Sequence, residues 1–166
     1  MASAGKLVKV WGKRWGNISN EIGSGYQARS EEQYVTTNQT HVSITSSLLS
    51  FTTTVDNGIY LLQADLNLYL TPDNGNGANA GFRWNSQLIV GVDGGSGDTW
   101  QRTGHGAGNG GSASLVRKFV YTPSVSAGTA VQAYVTVGQW GSVSARVNYS
   151  GYSNYSDFTI MEFEAV

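Results

Sequence analysis

"IYLLQADLNLYL", residues 59–70, alternates apolar and polar side chains with a period of two. Successive side chains of a strand point to opposite faces, so Tyr60, Leu62, Ala64, Leu66, Leu68 and Leu70 share one face while Gln63, Asp65 and Asn67 occupy the other. A helix would scatter these residues around its circumference. A half-buried strand lines them up.

The same alternation returns along the chain. Phe82, Trp84, Leu88, Val90 and Val92 stand against Arg83, Asn85 and Gln87. Val131, Ala133, Val135 and Val137 stand against Gln132, Tyr134 and Thr136, and Val143, Ala145, Val147 and Tyr149 against Ser142, Ser144, Arg146 and Asn148. Shorter strands are predicted over 6–11, 42–54, 114–121 and 157–164, and no stretch carries a 3.6-residue apolar stripe. Asp56-Asn57-Gly58 reads as a tight hairpin turn, because Asn-Gly tolerates positive φ. Thr71-Pro72-Asp73-Asn74-Gly75 opens a longer loop, and Ser126-Ala127-Gly128 and Gly138-Gln139-Trp140-Gly141 punctuate the second half.

About eight antiparallel strands in one domain imply two packed sheets, since a single sheet leaves its apolar face wet. The expectation is an all-β fold: an antiparallel β-sandwich of jelly-roll type, with an immunoglobulin-like sandwich as the alternative. One domain is expected over 1–166, with an irregular excursion at about 12–39 and a Gly-rich loop at about 93–113.

Charge narrows the partners. Lys+Arg 10 against Asp+Glu 11 gives a formal net charge of -1, and charged residues make up 13% of the chain. No field exists to steer phosphate backbones or anionic lipid, so neither nucleic acid nor membrane is an expected partner. With no cysteine, disulfides, zinc–thiolate sites and thiol nucleophiles are excluded. No apolar run reaches membrane-span length, and the N-terminus lacks the apolar core of a signal peptide. A protein made in, and not exported by the general route from, a cytoplasm is expected.

Motifs of chemistry are weak. Gly106-Ala107-Gly108-Asn109-Gly110-Gly111 fits G-x-G-x-x-G, but a strand pattern, Leu115 to Val120, follows it where a dinucleotide site needs a helix N-terminus. Asp73 to Asn76 and Asp93 to Asp98 offer oxygen ligands without EF-hand spacing, so turns rich in Asx and Gly are the simpler reading. Asp98, His105 and a serine can be drawn as a triad, yet no G-x-S-x-G elbow presents a nucleophile. Glu31-Glu32 and the Glu162/Glu164 pair read as solvated charges. His41, in a Thr/Ser-rich strand, reads as a polar-face or hydrogen-bonded histidine. The expectation is no enzyme, no cofactor and no metal.

Trp100, Arg102 and His105 sit in the stretch "GSGDTWQRTGHGAGNGGSAS", residues 95–114. Trp100 either plugs an apolar hole or presents a flat surface to a sugar or partner, with Arg102 able to stack on it. Tyr152 and Tyr155 belong to a Tyr-, Ser- and Asn-rich segment, the blend that adaptable binding surfaces use. Trp100, Arg102, His105, Tyr152 and Tyr155 are the candidate partner contacts.

Residues 95–119, "GSGDTWQRTGHGAGNGGSASLVRKF", and 156–165, "SDFTIMEFEA", resemble segments of bacteriophage virion proteins of tail-fibre or structural type. The opening "SAGKLVKVW", residues 3–11, is similar to their first strand. The resemblance implies a virion surface component with a jelly roll like those of C1q and tumour necrosis factor domains, forming a homotrimer, and it transfers no catalytic residue. A chain that reaches its first strand within about ten residues, without heptads or collagen-like triplets, suits a capsid decoration (cement) protein better than a complete fibre. Its expected partners are itself and other virion proteins such as the major capsid protein. The alternative is a tail-fibre knob or adhesin binding a host surface glycan through Trp100, Arg102, Tyr152 and Tyr155.

Overall fold

β5 (Ile59–Thr71) organises the first sheet. Its even-numbered residues Tyr60, Leu62, Ala64, Leu66 and Leu68 are buried to 1% exposure or less, as the alternation predicts. Each large aliphatic side chain buried in this way contributes roughly 1.5–3 kcal/mol. The computed structural model describes residues 4–16, 32–35, 41–71, 77–90, 101–102, 111–139, 144–147 and 155–166. These contain β1 (Ala4–Gly16), β2 (Glu32–Val35), β3 (Val42–Ser43), β4 (Leu49–Thr52), β6 (Gly77–Trp84), β7 (Gln87–Val90), β8 (Gln101–Arg102), β9 (Gly111–Tyr121), β10 (Ala130–Gln139), β11 (Ser144–Val147) and β12 (Tyr155–Ala165). The described residues hold no α-helix, only a 3₁₀ turn at Thr45–Ser47.

Twelve strands make two antiparallel sheets. In the first, β9 covers one edge of β5, β12 and β11 share the other, and β1 and β2 lie outside them. In the second, β10 takes β3 and β4 on one edge and β6 on the other, and β6 carries β7 and β8. Four lanes are thus each built by two strands, which reduces twelve strands to eight lanes. The pairings β1 with β12, β4 with β10, β5 with β9 and β6 with β7 are those of one long antiparallel hairpin rolled up on itself. The fold is a jelly-roll β-sandwich.

One core fills the space between the sheets. Phe82 stacks on Phe158 across it with centroids 5.6 Å apart, and Tyr60 meets Trp84 edge-on at 4.8 Å. Trp11 closes the β1 side against Phe51 at 4.3 Å. Such pairs add to burial because edge-on and offset rings align their quadrupoles.

Several expectations need correction. β1 continues to Gly16 and Glu32–Val35 pairs with β11, so part of the excursion expected at 12–39 is strand; 17–31 and 36–39 lie outside the described residues. The run from Phe82 to Val92 is not one strand: it reverses at Asn85-Ser86, with Asn85 at φ 56. Trp84 then pairs with Gln87 and Arg83 with Leu88, which puts Leu88 on the outer side while Ile89 packs against the core. Asn57 takes the positive φ predicted for it, 49, but the turn joins β4 and β5 of different sheets instead of making a hairpin. Gly138 lies inside β10, not in a turn. The 128 position is a turn glycine, at φ 82.

Glu162 is not solvated. It is fully buried on the inner side of β12, where the N–H groups of Thr54 (2.8 Å) and Val55 (3.2 Å) and the Tyr60 hydroxyl (2.7 Å) donate to its Oε1. The chain leaving β4 for the other sheet exposes those two N–H groups, and the carboxyl satisfies them. Burial, the hydrogen bond to Glu162 and its charge push the Tyr60 phenol well above the ordinary tyrosine pKa.

Candidate interaction face

The outer sides of the two sheets differ in what they leave uncovered. On the second sheet, Asn79, Gly81, Thr136 and Gly138 point away from the core, and all are buried. His41, 2% exposed, lies over them and shares a 2.9 Å hydrogen bond between its Nδ1 and Thr136 Oγ1. A Cβ on Gly138 would stand 2.8 Å from His41 Nε2, and one on Gly81 would strike the Val90 carbonyl and lie 2.7 Å from Thr136 Oγ1. The imidazole fits because these two positions lack side chains. Arg83 then donates from Nη2 to the His41 carbonyl (3.3 Å).

On the first sheet, Ser156, Phe158, Ile160 and Glu162 of β12 are buried, so Tyr155, Asp157, Thr159, Met161 and Phe163 point outward. Cross-strand partners share a face, which makes Val10, Met161, Leu61 and Val120 one aliphatic row across β1, β12, β5 and β9. Val10 is 49% and Val120 59% exposed; Leu7 (46%), the register partner of Phe163, extends the apolar surface beside the row. Next along the strands comes a polar row, Gly12, Thr159, Gln63 and Lys118, and then Arg14, Asp157, Asp65 and Val116.

The far end of this face is held by charge. Arg14 Nε donates to Asp157 Oδ1 (2.7 Å) and Nη2 to Oδ2 (3.3 Å), a forked pair. The same guanidinium sits 4.1 Å above the centre of the Tyr155 ring. Ser114 Oγ donates to Asp65 Oδ1 (3.0 Å), and Ser156 Oγ accepts from the Asn67 N–H (3.1 Å). Asp65, Asn67, Ser114 and Tyr155 line a cleft of about 240 Å³.

Of the candidate contacts, Tyr155 begins β12 on this face, 45% exposed, and Arg102 ends β8 on the second sheet, paired with Gly77. The two stand on different sheets, and the cation over Tyr155 is Arg14. Trp100, His105 and Tyr152 lie outside the described residues, as do Asp98 and the loops at 73–76 and 93–98. The sequence reading missed Arg14, Asp65, Asn67 and Ser114. The signal was present on the polar side of the β5 alternation, which patterning assigns to solvent.

Among the described residues no group of three His, Asp or Glu side chains is placed to hold a metal ion, and no helix is long and apolar enough to cross a membrane. No family model, curated protein or solved structure matches the chain.

Proposed function

We propose that this chain is a non-enzymatic structural protein of a phage virion, a jelly roll that self-associates as a trimer and decorates the capsid. The observation that carries the reading is the aliphatic row Val10, Met161, Leu61 and Val120 across all four lanes of one sheet. Half-exposed aliphatic side chains each gain on the order of 1 kcal/mol when a partner copy removes them from water. Exposed contiguous apolar surface of this kind marks association sites in soluble proteins. The edges support face-on association over strand addition: Lys6, Lys9 and Lys13 are exposed along the edge strand β1, and lysines on an edge discourage another strand from pairing there.

The virion assignment rests on the resemblance of 95–119, 156–165 and 3–11, and the rolled hairpin is the fold that resemblance implies. Association stabilises the folded protomer and the shell by mass action. It depends little on salt, because the contact surface is aliphatic. The test is light scattering on the purified protein together with co-sedimentation on undecorated capsids. A trimer that binds capsids is expected; a stable monomer without capsid affinity overturns the reading.

A further inference from the structure

We infer that the cleft between Asp65, Asn67, Ser114 and Tyr155 binds a single neutral sugar unit of a glycan. The inference rests on the cleft alone and is independent of self-association. A larger hollow of about 520 Å³, lined by Ser50, Phe51, Thr52, Asn85, Ala130, Val131 and Gln132, offers no ionisable group to orient a ligand.

Four features select a sugar. First, the size of about 240 Å³ falls below the roughly 300–1,000 Å³ of sites for drug-sized ligands, so the occupant is one small unit. Second, the lining combines an acceptor-only carboxylate, an amide that both donates and accepts, and a hydroxyl, the complement of neighbouring sugar hydroxyls. Ser114 holds Asp65 by one oxygen, Oδ1, which orients the carboxylate on its strand. Third, Tyr155 supplies an aromatic surface for the C–H side of a pyranose. Arg14 packs on its ring at 4.1 Å, and the forked pair with Asp157 fixes Arg14 in turn, so the ring is positioned before ligand arrives.

Fourth, the charge sets the class. Asp157 and Asp65 are direct register partners, and Arg14, the cation over Tyr155, is committed to Asp157. An anionic sugar would meet repulsion from the Asp65 carboxylate of the lining, so a neutral unit suits the cleft. Asp65 and Asn67 lie four and six residues along β5 from Leu61, roughly 14–20 Å at about 3.4 Å per residue, so the cleft is separate from the aliphatic row.

Saturation-transfer NMR on the full chain tests this with the methyl glycosides of glucose, galactose, mannose and N-acetylglucosamine, and with glucuronate. At least one neutral glycoside is expected to bind with a dissociation constant in the millimolar range. Asp65→Ala should weaken it by about tenfold or more, equal to about 1.4 kcal/mol, whereas Tyr155→Phe, which keeps the ring, should retain it. Light scattering and melting of the same samples establish that each variant keeps the fold and assembly of the parent. No transfer to any neutral glycoside, transfer unchanged by Asp65→Ala in a folded sample, or preference for glucuronate overturns the inference. Loss of assembly with sugar binding retained would instead remove only the self-association reading.

Discussion

The two outer faces of this sandwich are built on the same strand geometry and treat water in opposite ways. On the second sheet the protein seals the patch around one histidine: His41 lies over Gly81 and Gly138 and bonds to Thr136, leaving these outward positions buried. On the first sheet Val10, Leu7 and Val120 remain about half exposed, and the Arg14, Asp157 and Tyr155 assembly organises the far end. A sealed face contributes to folding and offers little to a partner. An open aliphatic face contributes little to folding and gains on contact.

That contrast can be broken by substitution, here in order of expected effect on folding. Both faces stand on the interior, and Glu162→Ala strands the Tyr60 hydroxyl and two N–H groups there; about 4 kcal/mol should be lost in a urea titration. On the sealed face, Gly81→Val drives a side chain into the Val90 carbonyl and His41, costing roughly 3 kcal/mol. Wild-type stability for this variant would show that His41 does not seal the sheet. Thr136→Val removes the His41 partner at nearly constant volume, for about 1–2 kcal/mol by the same measurement.

Alkali sharpens the comparison from the inside. Because the folded Tyr60 phenol titrates above its unfolded value of about 10, its contribution is complete below that pH and declines as pH rises past it, by at most about 1.4 kcal/mol per unit. Tyr60→Phe should flatten this decline in pH-dependent melting. The smallest folding effect belongs to the open face: Val120→Asp should change stability by no more than about 0.5 kcal/mol, yet convert the assembly to monomer in light scattering. Equal effects of Val120→Asp and Gly81→Val on folding would abolish the distinction between the faces.

Strand content was legible because period-two patterning is local. Residues 60–68 and 131–137 bury the side chains their alternation selects. The hairpin at Asn85-Ser86 was hidden, since alternating apolar residues continue through the turn although the register places Leu88 on the outer side. Glu162 misled because a carboxylate is normally solvated, and the N–H groups it satisfies lie more than a hundred residues away in sequence. Gly138 misled in the same way: its purpose is to admit His41, not to turn the chain.

Of the site, Tyr155 was singled out for its company of Tyr, Ser and Asn, but its neighbours in space are Arg14, Asp65, Asn67 and Ser114, from three other strands. Amino-acid order alone settled that this chain forms strands, which side chains of residues 60–68 and 131–137 turn inward, and that it holds no cysteine and little charge. Tertiary structure alone decided which outer patch is covered and which is open. The reason is physical: alternation distinguishes the two sides of a strand, whereas covering a side requires a residue from elsewhere in the chain, placed by register and sheet packing.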